Sequence, residues 1–178
     1  MKRLIHRGVS WISSHKLLCI SLLLCAAVIV FIFSNSLEDG KESHISSGRF
    51  VRLLKPILDP HDRISPTDFS YFVRKLAHFT EFFWLGMTLC GVIRGAYRPG
   101  VVGVASMSHP PIASAALLSL MTAVVDEWIQ SYTGRTSSVR DVILDFCGAM
   151  CGLLLTALVW YGIDRIRRAH ARKRTGAE

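Results

Sequence analysis

The sequence predicts an all-α membrane protein with four transmembrane helices and, between the first and second, an extracytoplasmic segment that contains a short amphipathic helix. Three observations predict it. Hydrophobic residues fill 51% of the 178 positions and charged residues only 19%, below the quarter usual in soluble domains. Four apolar stretches, Leu17–Phe33, Leu76–Ile93, Ile112–Tyr132 and Val142–Gly162, approach the roughly 20 residues that cross a bilayer. Most Lys and Arg side chains lie in the connections and the C-terminal tail instead, which explains the net charge of +8 without a nucleic-acid partner. This composition also excludes a disordered chain.

The expected organisation is a basic N-terminus over 1–16, a membrane domain over 17–162 with spans at about 17–33, 71–93, 112–132 and 139–162, and a basic tail over 163–178. A basic start before an apolar run also describes a signal peptide, but no Ala-x-Ala cleavage site follows Phe33, so the first stretch is expected to remain as a span. The long connection Ser34–Ser70 carries Phe50, Leu53, Leu54, Ile57 and Leu58 at helical spacing. Such a stripe suits either the headgroup plane or packing across the bundle end, and Pro56 is expected to interrupt the helix. Thr67 or Asp68 is expected to cap the start of span two.

Orientation follows from the basic residues, because cytoplasmic loops are enriched in Lys and Arg. Twelve of the 21 fall on one side: Lys2, Arg3, Arg7, Lys16, Arg94, Arg98, Arg165, Arg167, Arg168, Arg172, Lys173 and Arg174. The nine others are Lys41, Arg49, Arg52, Lys55, Arg63, Arg74, Lys75, Arg135 and Arg140. Both termini are therefore expected in the cytoplasm and the chain in the cytoplasmic (inner) membrane. Cys19, Cys25, Cys90, Cys147 and Cys151 all fall within spans and show no zinc spacing, so they read as small apolar residues.

Ionisable residues inside spans carry the functional signal, because lipid-facing helices exclude them and they must face a bundle interior or a wet cleft. At about 100° per residue, Arg74, His78 and Glu81 share one face of span two. Asp126 and Gln130 are one turn apart on span three, with Glu127 and Ser131 on an adjoining face. On span four Asp141 and Asp145 share a face with Gly148 and Gly152, where small residues admit a neighbouring helix. At a rise of about 1.5 Å per residue, His78, Glu81, Asp126 and Asp145 reach similar depths, within about 10 Å of the outer end. Arg135 and Ser137 lie in the short turn above them.

These residues carry a resemblance. The strings Arg74-Lys75-Leu76-Ala77-His78-Phe79-Thr80-Glu81-Phe82 and Asp126-Glu127-Trp128-Ile129-Gln130 are followed by Gly134-Arg135-Thr136-Ser137 and by Asp141 to Asp145 with Gly148 and Gly152. In this order they resemble the VanZ-like membrane family over about residues 34–160. The chain departs from the family mainly in its extended basic C-terminus and long outer segment. The family is named for a protein that confers low-level resistance to teicoplanin, a glycopeptide antibiotic with a lipid tail. The resemblance therefore implies a role toward a lipoglycopeptide or an envelope lipid precursor.

Two classes of function fit the polar layer. In the first, an amphiphile binds: Arg74, Lys75 and Arg135 contact an anionic head, with Glu127, Gln130, Ser137, Asp141 and Asp145 lining the site and the tail lying between helices. The alternative is a membrane-embedded hydrolase or transferase acting on a lipid-linked substrate, with His78, Glu81 and Asp126 as its catalytic groups. It would use a desolvated acid beside His78, or a divalent cation on Glu81, Asp126, Asp141 and Asp145. No metal-binding, nucleophile-elbow or phosphate-loop signature stands alone, and no cofactor or oligomeric state is specified. Ion pairs that lock helix ends together explain part of the same pattern, above all Glu127 and Arg140. A transport path is disfavoured because the inner halves of the spans carry no charge.

Overall fold

Helices account for all the regular secondary structure in the computed structural model, which describes residues 15–37, 48, 51–96, 111–135 and 137–175, with side chains to residue 170. They are α1 (Lys16–Ser36), a short α2 (51–58), α3 (Pro66–Ala96), α4 (Pro111–Tyr132) and α5 (Val139–Thr175). Helices α1, α3, α4 and the Val139–His170 part of α5 are long and apolar enough to cross a membrane, in the expected order. Lys2, Arg3, Arg7, Lys41, Arg49, Phe50, Arg98 and Thr136 lie outside the described residues, as do the side chains of Arg172, Lys173 and Arg174.

The helices run past the apolar stretches, because hydropathy marks only the lipid-crossing part while capping sets the ends. Helix α1 continues through Asn35 and Ser36, and α5 continues to Thr175. Helix α3 starts at Pro66, and its cap is Ser65 rather than Thr67 or Asp68. The Ser65 hydroxyl accepts the Asp68 N–H at 3.2 Å and donates to the Asp68 carboxylate at 2.7 Å. Pro66 fits the first helical position, where an N–H has no intrahelical partner.

Helix α2 passes through Pro56 without the expected break. The proline forfeits one helical bond, and the helix closes with the Asp59 N–H on the Lys55 carbonyl at 2.8 Å. The Asp59 carboxylate then accepts the N–H groups of Arg63 and Ile64, both at 2.9 Å. Those two backbone bonds hold its pKa below the usual carboxylate range. Leu53, Ile57 and Leu58 are exposed, so among the described residues of the stripe packing on the bundle explains only Leu54.

Helix α3 is the hub. It packs against α1, α4 and α5, whereas the backbones of α1 and α5 do not come close among the described residues. Apolar burial gives little drive between helices in lipid, so close backbone packing must hold them together. A Cβ at Gly86 would overlap the Ala149 carbonyl, one at Gly152 the Phe83 carbonyl, and one at Gly148 would sit 2.5 Å from the Phe79 carbonyl oxygen. Helices α3 and α5 therefore run parallel with their backbones in contact. Toward α1 the close positions are Gly91 against Ser21 and Gly95 against Leu18, which sets α1 antiparallel to α3.

Ile32, Phe82, Leu85, Ala123, Ala149 and Leu153 fill the interior, while Leu23, Val30, Leu117 and Leu158 are exposed on the outer faces. Such an extensive apolar exterior suits lipid rather than water. Several hydroxyls within the spans bond to their own helices, as Ser119 does to the Ala115 carbonyl at 2.9 Å and Thr122 to that of Leu118 at 2.8 Å. Near the far end Arg94 makes two 2.9 Å bonds to Asp164 and lies 4.2 Å over the Trp160 ring.

Replacing Gly152 with Leu is expected to lower stability by about 3 kcal/mol through overpacking against backbone. Gly162→Ala, with nothing within 4 Å of the added carbon, should be neutral or slightly stabilising. Thermal unfolding of the two variants in detergent checks the contrast.

Candidate functional site

The end of the bundle where α1 and α4 finish and α3 and α5 begin gathers the intramembrane polar residues. Asp126 is fully buried on α4. Its two oxygens accept from the Ser36 hydroxyl and from Gln130 Nε2, the latter at 2.7 Å. The one-turn spacing of Asp126 and Gln130 thus becomes a direct bond. On α3, Glu81 accepts from Asn35 Nδ2 at 2.8 Å. His78 Nδ1 points between the two acids, 3.8 Å from Glu81 Oε2 and 3.9 Å from Asp126 Oδ2. Asp145, 1% exposed on α5, has no hydrogen-bond partner at either carboxyl oxygen among the described residues.

The turn from α4 to α5 delivers Arg135. Gly134 has φ +71, a left-handed conformation in which a side chain would be strained. The N–H of Arg135 returns to the Gln130 carbonyl at 3.3 Å, closing a Schellman-type helix end. The guanidinium then lies over the site, with Nη2 3.0 Å from His78 Nε2 and Nη1 donating to the Asn35 carbonyl at 3.4 Å. A guanidinium only donates, so Nε2 is the acceptor and the neutral ring carries its proton on Nδ1.

His78, Glu81, Asp126, Gln130, Arg135 and Asp145 therefore form one cluster. Lys75 and Asp141 pair with each other at its edge, and Lys75 also lies 5.2 Å from the Tyr71 ring centre. Arg74 is half-buried on the same helix. Glu127 is buried and accepts the Ser138 N–H at 2.9 Å, tying α4 to the start of α5. Ser137 and Arg140 are exposed. Asn35 and Ser36 were not anticipated as site residues. The polar run Ser34-Asn35-Ser36 directly after an apolar span was their available signal.

An apolar groove of about 580 Å³ opens on the side of the bundle between α1 and α3. Leu24, Ala27, Val28 and Phe31 form one wall, Leu76, Ala77 and Trp84 the other, and Leu54 of α2 reaches its edge. Its polar corner is Glu81, the residue that Asn35 holds in the cluster.

A multi-pass helical membrane protein with a buried acid–histidine–arginine cluster at one end of its bundle is the class that these features define. The family description VanZ/LLP1 matches residues 18–160, and the chain belongs to that family. No curated protein and no solved structure gives a significant match.

Ser36→Ala removes a donor from a fully buried carboxylate and is expected to cost about 2 kcal/mol. Ser131→Ala loses only an exposed bond to the Trp128 carbonyl and should stay within about 0.5 kcal/mol of wild type. Chemical unfolding in mixed micelles measures both.

Proposed function

We propose that the polar cluster faces away from the cytoplasm and binds the head of a cell-envelope amphiphile, a lipoglycopeptide or a lipid-linked envelope precursor, while the groove between α1 and α3 takes its tail. The observation that carries this reading is Glu81, which belongs both to the hydrogen-bonded cluster and to the groove wall. A polar head and an apolar tail joined at that point would each meet matching surface. The groove falls within the volume range of small-molecule sites. Arg74, Lys75 and Arg135 supply positive charge for an anionic head, and the distribution of Lys and Arg supports the orientation. Family membership supports a lipoglycopeptide such as teicoplanin as the first ligand to test.

Binding is favoured over transfer through a covalent side-chain intermediate by the surroundings of His78. Its Nε2 is engaged by Arg135, and none of its contacts among the described residues is a hydroxyl or thiol that it could activate.

Titration of the protein in lipid nanodiscs with teicoplanin, and with the same glycopeptide lacking its acyl chain, tests the reading. Ala27→Phe and Ala77→Phe, which fill the groove, should weaken acylated-ligand binding at least tenfold and leave the weak deacylated binding unchanged. Equal loss for both ligands would remove the groove from the account. In cells, His78→Ala, Glu81→Gln and Asp145→Asn are expected to abolish protection against teicoplanin while membrane levels stay constant; full protection in all three contradicts the proposal.

A further inference from the structure

Asp145 is the one carboxylate of the cluster whose oxygens have no hydrogen-bond partner among the described residues, and it is 1% exposed. A buried charge in that position costs several kcal/mol unless a cation or a proton neutralises it. Three helices bring candidate ligands to this place: one atom each from His78, Asp126 and Asp145 lie within 4.8 Å of one another. Asp126 is held by Ser36 and Gln130, an outer layer of donors that orients a ligating carboxylate while leaving lone pairs on both oxygens. His78 Nδ1, which has no hydrogen bond, faces the acids.

We propose that His78, Asp126 and Asp145 form a binding site for one divalent transition cation, Zn²⁺ or Mn²⁺. One imidazole with two carboxylates suits these ions better than Ca²⁺ or Mg²⁺, which favour oxygen alone. The sequence pattern grouped Glu81 and Asp141 with the acids instead, but Asn35 holds the first and Lys75 the second. Ligand atoms about 2.1 Å from a metal lie about 3 to 3.5 Å apart, so the three side chains close in by about 1 Å on binding. Three protein ligands leave a position for water or for an oxygen of a bound head group.

Arg135 opposes the cation in a way that can be measured. While its Nη2 donates to His78 Nε2, the ring proton occupies Nδ1, the atom that would ligate. Binding therefore moves the ring proton from Nδ1 to Nε2 by exchange with solvent, one proton leaving and one returning, and breaks the contact with Arg135. Gln at position 135 can accept from Nε2–H and removes a nearby positive charge, so Arg135→Gln strengthens cation binding.

The test is calorimetric titration of the chelator-treated full chain in nanodiscs with ZnCl₂, MnCl₂ and MgCl₂, together with elemental analysis of the dialysed protein. One Zn²⁺ or Mn²⁺ per chain is expected, with no saturable Mg²⁺ binding. Affinity should fall at least tenfold in Asp145→Asn and His78→Gln and rise severalfold in Arg135→Gln. Circular dichroism confirms that each variant is folded, and wild type is decisive alone: no stoichiometric uptake overturns the site and assigns a proton to Asp145. Uptake unchanged in Asp145→Asn and His78→Gln also overturns it. Because the titration contains no glycopeptide or lipid-linked precursor, failure here leaves the amphiphile reading intact, and failure of amphiphile binding leaves the cation site intact.

Discussion

Contact between the backbones of α3 and α5 is the constraint on which the rest of the structure depends. Without side chains at Gly86, Gly148 and Gly152, the two helices approach until the carbonyls of one meet the Cα atoms of the other. At that distance only a few registers avoid collision, and the one adopted sets Phe79 beside Gly148 and Phe83 beside Gly152. His78 and Asp145 lie one and three residues from this Phe79–Gly148 contact. Their common depth is thus a product of helix packing, independent of any attraction between them.

The polar groups that this register buries are satisfied largely by other helices. Asn35 and Ser36 at the end of α1 serve acids on α3 and α4, and Arg135 from the turn serves a histidine on α3. Thr133 repeats the pattern, its hydroxyl meeting the Ser36 and Gln130 carbonyls at 3.2 and 3.1 Å. Apart from the local Thr133–Gln130 bond, each of these crosses between elements far apart in sequence, so the cluster forms only when the bundle is assembled. In a membrane interior, where water does not compete, such bonds also select one arrangement of helices over its alternatives.

Much of this was legible in the sequence because a helix is a rigid ruler. The spacing of Arg74, His78 and Glu81, and that of Asp126 and Gln130, determines a face whatever surrounds it, and hydropathy identified all four spans in order. Helix ends were less legible, since polar residues continue a helix without an apolar signal. That is why Asn35 and Ser36 escaped notice and why α3 begins at Pro66. Apart from the Asp126–Gln130 bond within one helix, partner choice in the cluster was not legible. Asp141 and Asp145 occupy one face of α5, yet Lys75 reaches the first and nothing among the described residues bonds the second. That difference depends on side-chain reach across a helix interface, and no one-dimensional pattern encodes it. The Gly134-Arg135 pair has a clear physical basis once the turn is seen, because the left-handed glycine aims the arginine.

The groove between α1 and α3 opens through the side of the bundle, where exposed Leu24, Phe31, Leu76 and Trp84 border it. A molecule entering there arrives from within the bilayer leaflet, without crossing the aqueous phase. Its occupancy then depends on how many such molecules share each unit of lipid area, so adding lipid to a fixed total amount of them dilutes them at the groove. For an aperture of this kind the bilayer acts as the reservoir, and hydrocarbon length governs both the supply and the fit.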